Sequence, residues 1–311
     1  MCGPKIQIKG GKMDLISIRR KYRNIRNIII AAFLLALAII VVIIIREINQ
    51  NKMFQKIYSS YERQIEQVRQ DEQTKIEQKK AEEEETRKAK LPQLTEEARN
   101  NFVNIYHSEN KRVFLTFDDG PSQTVTPVIL DTLKKENVKV TFFLLGSRVE
   151  LNPDIVKREY EEGHYLASHG YSHIYSQIYT SSQSVLDEYN KCVTAIRNAI
   201  GIPEYNPHLF RFPGGYTGGK YATVKKEAAQ VLDQNGILHI DWNALTSDAA
   251  GAKTTEQFIA ELEKTVPKHN SVVVLMHDAG NKTATAEALP TIIQYFRERG
   301  FEFENFYSII K

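Results

Sequence analysis

Two histidines and two adjacent aspartates are the residues of this chain whose types and spacing most clearly suggest chemistry. His169 and His173 lie four positions apart, so a helical turn or a tight loop can aim both imidazoles at one point. Two neutral imidazole nitrogens and one carboxylate form a three-ligand zinc site that leaves positions open for water. Asp118 or Asp119 could supply that carboxylate. The pattern therefore predicts a catalytic metal centre.

The adjacent carboxylates also need an explanation of their own. Two like charges side by side repel each other, and a cation would relieve that repulsion. Successive strand residues point to opposite faces, so the turn expected at Gly120-Pro121 decides where each aspartate points. One aspartate can then bind the metal while the other stays free as a base. The alternative is an Asp-Gly-Pro loop that only caps the following helix.

The elements that must position these residues follow from the alternation of apolar runs and amphipathic stretches. The apolar runs are 113–117, 140–145, 165–169, 209–212, 237–242 and 271–277. The amphipathic stretches lie near 124–136, 152–162, 182–200, 220–235, 255–266 and 284–299. Strands that alternate with helices predict βα units and a parallel sheet. The expected fold is α/β, a distorted (β/α)7-type barrel with its polar residues gathered at the carboxyl ends of the strands.

The first part of the chain predicts a membrane anchor. Residues 1–26 carry eight Lys or Arg and one acid, so the rest of the chain is net acidic although the formal charge is +3. A nucleic-acid binder would spread basic charge over its folded part, so nucleic acid is not an expected partner. Residues 28–45 form an unbroken apolar run, long enough to span a bilayer, and the basic segment 1–27 before it predicts a cytoplasmic N-terminus.

Two other interpretations of the apolar run fit less well. A buried core helix would normally have a polar edge, and this run has none. A cleavable signal peptide has a shorter apolar region followed by a small-x-small cleavage site, which is missing after residue 45. We therefore expect an uncleaved signal anchor, with the rest of the chain outside the cell.

Residues 46–108 predict a charged stalk or linker, and residues 109–311 predict the catalytic domain. Charged side chains make up almost half of 46–90, which contains neither Gly nor Pro. The irregular spacing of apolar positions favours a solvated helix or a partly disordered segment over a coiled-coil zipper. The two cysteines of the chain exclude a disulfide scaffold and a four-cysteine zinc site.

Five ordered motifs resemble those of the polysaccharide deacetylases, the NodB-like carbohydrate esterase family four. They are TFDDGPS at 116–122, HGYSH at 169–173, RFPGG at 211–215, DWN at 241–243 and LMH at 275–277. Together with the anchor and stalk, they make the chain most similar to bacterial peptidoglycan N-acetylglucosamine deacetylases. The resemblance implies metal-dependent hydrolysis of N-acetyl groups on peptidoglycan or a related N-acetylated polysaccharide, with release of acetate.

The resemblance also implies a role for each polar residue of the motifs. Asp119, His169 and His173 would hold a divalent cation, expected to be Zn²⁺, with Co²⁺ or Ni²⁺ as alternatives. Asp118 would be the general base that takes a proton from the attacking water. His277, as imidazolium, would protonate the departing amine.

Three further roles follow from the same resemblance. Arg211 would orient Asp118 and keep it ionised. Asp241 would raise the pKa of His277, so that this histidine is charged near neutral pH. A backbone N–H near Gly214 would help to hold the oxyanion.

Contacts with the sugar are implied for four residues. Trp242 and Leu275 would form the walls of a pocket for the acetyl methyl group. Relatives often have an aromatic residue at the position of Gly214, so stacking on the sugar would be lost here unless Tyr216 provides it.

Three alternatives differ from this interpretation. A glycosidase would need two carboxylates on either side of a glycosidic bond, and it leaves the histidine pair without a role. A catalytically silent wall-binding module would have lost a ligand, the base or the acid, and all of them are present. The same chemistry on chitin oligomers, an exopolysaccharide or acetylxylan is the strongest rival, because residues outside the motifs choose the polymer. Nothing in the sequence indicates an oligomeric state.

Overall fold

The computed structural model describes residues 15–48, 52–89 and 91–310, and the chain divides into two compact units, Met1–Glu83 and Glu84–Lys311. The first helix, α1, spans Leu15–Ile48. Within it, Arg20–Ile40 is long and apolar enough to cross a membrane, with a mean hydropathy of 1.8 and no buried residue. This helix is consistent with a membrane anchor. Residues 1–14 of the expected basic segment lie outside the described residues.

The second helix, α2 (Lys52–Ala89), accounts for most of the expected stalk. Its described side chains are almost all exposed, and the apolar residues Tyr61, Val68 and Ile76 are among them. Oppositely charged side chains four residues apart, such as Lys79 and Glu83 at 3.7 Å, support the helix by a few tenths of a kcal/mol each. Residues 52–89 of the expected stalk are helical.

The remaining elements alternate in the order that the apolar runs predict. The strands are β1 (Arg112–Asp118), β2 (Thr141–Leu144), β3 (Tyr165–Ser168), β4 (Leu209–Phe210), β5 (Leu238–His239), β6 (Ala244–Leu245), β7 (Ser271–His277) and β8 (Glu302–Glu304). The helices are α3 (Glu96–Val103), α4 (Thr126–Glu136), α5 (Gly146–Leu151), α6 (Pro153–Glu161), α7 (Tyr175–Ile178), α8 (Ser182–Ile200), α9 (Ala222–Gln234), α10 (Thr255–Thr265) and α11 (Thr283–Glu298). Two short 3₁₀ helices, Val266–Lys268 and Phe306–Ser308, complete the set.

The strands form one parallel sheet that curls into an incomplete barrel. The order is β5-β4-β3-β2-β1-β7-β6, and β8 pairs with β1. Strands β5 and β6 form opposite edges although only residues 240–243 separate them in the chain. Such a short connection spans less than about 20 Å, so the two edges must face each other. The distorted α/β barrel is confirmed. The strand expected at 237–242 is present only as the two residues of β5, and a further short strand, β6, follows it at 244–245.

Side-chain alternation along β1 separates the two faces of the sheet. Val113 and Leu115 belong to the outer core beneath the helices, whereas Phe114 belongs to the inner cluster together with Phe306. Ile105, from the expected linker, is also buried in this inner cluster. Because the period of a strand is two, Thr116 and Asp118 lie on the same inner side as Phe114. The barrel interior is therefore apolar at the bottom and polar at the carboxyl ends of the strands.

Candidate active site

Asp119, His169 and His173 come together at the carboxyl ends of β1 and β3. Asp119 Oδ1 lies 3.3 Å from His173 Nε2 and 3.6 Å from His169 Nε2. The three candidate ligand atoms all lie within 4.8 Å of one another. Two atoms bound tetrahedrally to zinc at about 2.0–2.1 Å lie about 3.3–3.4 Å apart. The spacing of these side chains therefore fits a divalent cation.

The protonation and burial of the same side chains also suit a cation. Asp119 Oδ1 is buried and has no hydrogen-bond partner among the described residues, which is unfavourable for a carboxylate oxygen unless something positive lies beside it. His169 Nδ1 lies 2.8 Å from the carbonyl oxygen of Arg211. A carbonyl can only accept, so Nδ1 carries the proton and Nε2 keeps its lone pair for a metal. Burial lowers the pKa of His169 to about 3, so the ring is neutral at pH 7.

Hydrogen bonds from a neighbouring helix stabilise the loop between the two histidine ligands, and the backbone at two of the ligands is unusual. Asp119 and His173 have φ values of 75° and 57°, a left-handed conformation that is uncommon for residues other than glycine. Glu188 of α8 supports the loop between the histidines, because its Oε2 accepts the N–H groups of Tyr171 at 2.6 Å and Ser172 at 2.8 Å. Sequence reasoning missed Glu188. Its only signal is a carboxylate next to the apolar face of an amphipathic helix.

The second aspartate, Asp118, is buried beside a buried guanidinium. Arg211 Nη1 donates to Asp118 Oδ1 at 2.8 Å and to Thr116 Oγ1 at 2.6 Å, and the Phe143 ring lies 3.9 Å from the guanidinium carbon. The other carboxylate oxygen, Oδ2, is 3.8 Å from His169 Nε2. Burial raises the pKa of Asp118, and Arg211 opposes that rise. Asp118 is thus fixed through one oxygen and faces the candidate metal centre with the other.

The carboxylate that pairs with His277 is Asp248, and the expected partner Asp241 was the wrong residue. His277 Nδ1 lies 2.9 Å from Asp248 Oδ1, and the backbone N–H of His277 donates to Asp248 Oδ2 at 2.8 Å. Burial alone would lower the pKa of His277, but the hydrogen bond and charge of Asp248 outweigh it, and the pKa is raised. Asp241 instead accepts the backbone N–H of Tyr216 at 2.9 Å and 3.1 Å.

The physical reason for this error is that a second short strand, β6, follows β5 at once and was not predicted. Asp241 follows β5, which lies at the edge of the sheet next to β4. Asp248 follows β6, which pairs with β7, so it reaches the end of the strand that carries His277. Strand β6 consists of two residues, too few to show a periodic pattern. The available signal was the short polar run 246–248 after an apolar pair.

The residues expected to contact the sugar lie around the mouth of the barrel, which is the opening at the carboxyl ends of the strands. Leu275 is 8% exposed and precedes His277 by two residues on β7, so both lie on one face of the strand. Trp242 is half-buried and packs beside the inner cluster. Gly214 follows β4 with a φ of 75°. The Tyr216 ring packs against His239, with centroids 4.5 Å apart.

Comparisons with known proteins agree with this arrangement. A family model described as polysaccharide deacetylase matches residues 106–238. A peptidoglycan-N-acetylglucosamine deacetylase of Listeria monocytogenes is 40% identical over 194 residues, which is 62% of this chain and 38% of that protein. The matched part therefore spans well under half of that curated relative.

Two further similarities extend over most of the other protein. A peptidoglycan-N-acetylglucosamine deacetylase of Bacillus cereus is 34% identical over 206 residues, 64% of this chain and 71% of that protein. The structure of a Streptococcus mutans CE4 esterase superposes with a TM-score of 0.60 at 33% identity, covering 67% of this chain and 90% of that one.

Asp248→Asn should shift the pH dependence of whatever reaction uses His277 as an acid. A histidine whose pKa is raised stays protonated to higher pH, so removing the charge of Asp248 lowers that pKa. The alkaline limb of the pH–rate profile should move to lower pH by about one to two units. Asp241→Asn is the matched control and should leave that limb in place. A shift with Asp241→Asn alone would contradict the pairing.

Asp118→Asn and Asp119→Asn should separate the roles of the two aspartates. Asp119→Asn removes a charged ligand oxygen, so the zinc affinity measured by competition with a chelator should fall about tenfold or more. Asp118→Asn should keep bound zinc, and because asparagine retains an oxygen for Arg211, the melting temperature of this variant serves as the folding control. Loss of zinc from Asp118→Asn, with retention by Asp119→Asn, would mean that the roles are reversed.

Proposed function

Because the chain belongs to the polysaccharide deacetylase family, we propose that it hydrolyses N-acetyl groups of N-acetylglucosamine residues in peptidoglycan and releases acetate. One observation carries this proposal. Asp119, His169 and His173 form a three-ligand cluster, a buried Asp118 lies beside it, and the raised-pKa His277 lies across the same strand ends. Amide hydrolysis needs these parts together, namely a cation, a base and an acid.

The ligand cluster and Asp118 together could activate the acetamide carbonyl and the attacking water. A divalent cation, for which zinc is proposed, would polarise the acetamide carbonyl and make a water molecule more acidic when held by Asp119, His169 and His173. Asp118 takes the proton of that water through Oδ2, because Arg211 already occupies Oδ1. Burial raises the pKa of Asp118 toward the pH at which a carboxylate works well as a base.

Collapse of the tetrahedral intermediate needs a proton on the sugar nitrogen. His277 is suited to give it, because Asp248 accepts from Nδ1 and leaves Nε2–H as the donor. The hydrogen bond and charge of the same carboxylate raise the pKa of His277, which favours the positively charged ring. The backbone N–H near Gly214 is the proposed donor to the oxyanion. Amine and acetate then leave as separate products.

The choice of peptidoglycan rests on the relatives and on a groove beside the ligands. The groove has a volume of about 690 Å³ and is lined by Asp119 and His173, by residues 121–124 and by 147–148. Arg148 is its exposed cation, and its guanidinium makes no ion pair or hydrogen bond with any described residue. Peptidoglycan carries carboxylates on its stem peptides, whereas chitin oligomers are neutral. A free guanidinium in this position favours an anionic polymer.

The proposed location is the outer face of the cell membrane. The apolar segment of α1 would anchor the chain, the basic residues before it would keep the N-terminus in the cytoplasm, and the catalytic unit would face the wall. A polymer substrate that cannot enter the cell requires this orientation. Protease protection of an N-terminal tag in intact cells would test it.

Acetate release from purified peptidoglycan is the direct test of the activity. The full chain in detergent should release acetate, and chelation of divalent cations should lower the rate about tenfold or more, with recovery on adding zinc. Chitin oligomers are the neutral comparison polymer. An unchanged rate after chelation would overturn the metal-dependent mechanism, and activity on chitin oligomers alone would overturn the choice of peptidoglycan while leaving the chemistry in place.

Arg148→Gln should discriminate between the two polymers. Loss of an exposed ion pair lowers kcat/KM on peptidoglycan by up to about fivefold, whereas the rate on neutral chitin oligomers should stay within about twofold because no carboxylate is present. Lys157→Gln removes an exposed cation from the neighbouring α6, outside the groove, and serves as the control. An equal loss of kcat/KM on both polymers would mean that Arg148 does not recognise the charge of the substrate.

A further inference from the structure

The space above Gly214 is filled by the side chain of Tyr175. A Cβ atom built on Gly214 would lie 2.7 Å from the Tyr175 hydroxyl oxygen and 3.1 Å from its ring. The φ of Gly214 is 75°, so a side chain here would also strain the backbone. Position 214 therefore has no side chain of its own in the substrate mouth, and a tyrosine from another element takes that place.

Tyr175 is brought there by the metal-ligand loop. It lies two residues after His173 at the start of α7, and its ring packs edge-on against the His173 imidazole, with centroids 5.5 Å apart. The neighbouring Tyr179 packs against it at 5.8 Å and donates its hydroxyl to the carbonyl oxygen of Pro213 at 2.6 Å. Tyr179 thus ties α7 to the loop that contains Gly214, which holds Tyr175 in position.

The Tyr175 hydroxyl makes no hydrogen bond to any described residue. Tyr175 is 39% exposed, and its hydroxyl lies over Gly214, in the loop that contains the proposed oxyanion donor. The hydroxyls of Tyr165, Tyr179 and Tyr189, in contrast, all have protein acceptors. A tyrosine hydroxyl is both donor and acceptor, and its ring offers an apolar face. The Tyr175 hydroxyl has no hydrogen-bond partner in the described part of the chain and lies between the candidate metal ligand His173 and the proposed oxyanion loop at Gly214. It is therefore available to a bound sugar.

We propose that Tyr175 is a substrate-binding residue, which replaces the missing side chain at position 214. Its ring forms one wall for the sugar unit that is being deacetylated, and its hydroxyl donates a hydrogen bond to an oxygen of that sugar. This inference rests on the proposed function for the identity of the sugar. Tyr216, the residue expected to provide an aromatic surface here, packs against His239.

Tyr175→Phe tests the hydroxyl alone, because it keeps the ring over Gly214. In the full chain with zinc, kcat/KM for acetate release from chitin pentamer and from peptidoglycan should fall about five- to tenfold, as for loss of one neutral hydrogen bond. The loss should lie mainly in KM, because a bond to the sugar forms before the chemical step. Tyr175→Ala should lose more, because the wall is removed too. Tyr295→Phe is the matched control, since it removes a tyrosine hydroxyl from α11 in the outer core.

Two measurements separate substrate binding from support of the metal ligand. Zinc content and melting temperature of Tyr175→Phe should equal those of the parent, and loss of zinc would overturn the proposal because Tyr175 would then act through His173. The affinity of the Asp118→Asn protein for chitin pentamer, measured by calorimetry, should weaken by a similar factor when Tyr175→Phe is added. An unchanged Kd would also overturn it.

The calorimetric measurement tests the role of Tyr175 independently of the proposed deacetylase activity. If the parent chain binds the pentamer but releases acetate from no polymer, the deacetylase assignment fails while the comparison of Kd values still decides the role of Tyr175. A parent that binds no acetylated oligomer overturns both.

Discussion

The buried ion pair between Arg211 and Asp118 is the interaction on which the site depends. A guanidinium without partners inside a protein would be strongly destabilising. Here its N–H groups donate to Asp118, to Thr116 and to the carbonyl oxygens of Ile240 and Asp241. These acceptors come from β1 and from the segment between β5 and β6, whereas Arg211 itself follows β4. One side chain therefore joins the two edges of the incomplete barrel to its central strand.

The same residue sets the different roles of the two aspartates. Arg211 holds one oxygen of Asp118 through its side chain, and its backbone carbonyl fixes the tautomer of His169. Asp118 lies on the inner face of β1 and stays within reach of the cation site without becoming part of the compact ligand group. Asp119, one residue later, leaves the strand with a left-handed backbone and turns toward both histidines. Adjacent identical residues thus acquire different surroundings.

Sequence reasoning succeeded where local patterns are strong. Strands β1 and β7 are seven residues long and buried on both faces, so they read as continuous apolar runs. The histidine and aspartate motifs sit at strand ends, and parallel topology brings such ends together. The fold class and the gathering of Asp119, His169 and His173 could therefore be predicted.

The features that were missed depend on contacts distant in sequence. The partner of His277 could not be read because β5 and β6 are too short to give a pattern, and only their placement at opposite edges of the sheet distinguishes Asp241 from Asp248. Tyr175 and Gly214 are complementary in space but lie 39 positions apart in the chain. No periodicity links two such residues. Steric complementarity becomes visible only when the loops are folded.

The left-handed backbone at Asp119 and His173 limits which amino acids can replace these two candidate ligands during evolution. Asparagine, aspartate and histidine tolerate that conformation better than other residues with side chains, and β-branched residues tolerate it poorly. Aspartate and histidine are also common zinc ligands. At positions 119 and 173, the left-handed backbone and the coordination chemistry of zinc thus favour overlapping sets of amino acids. Glutamate or cysteine at either position would strain the loop backbone, so divergence within this scaffold is expected to affect the groove before the centre.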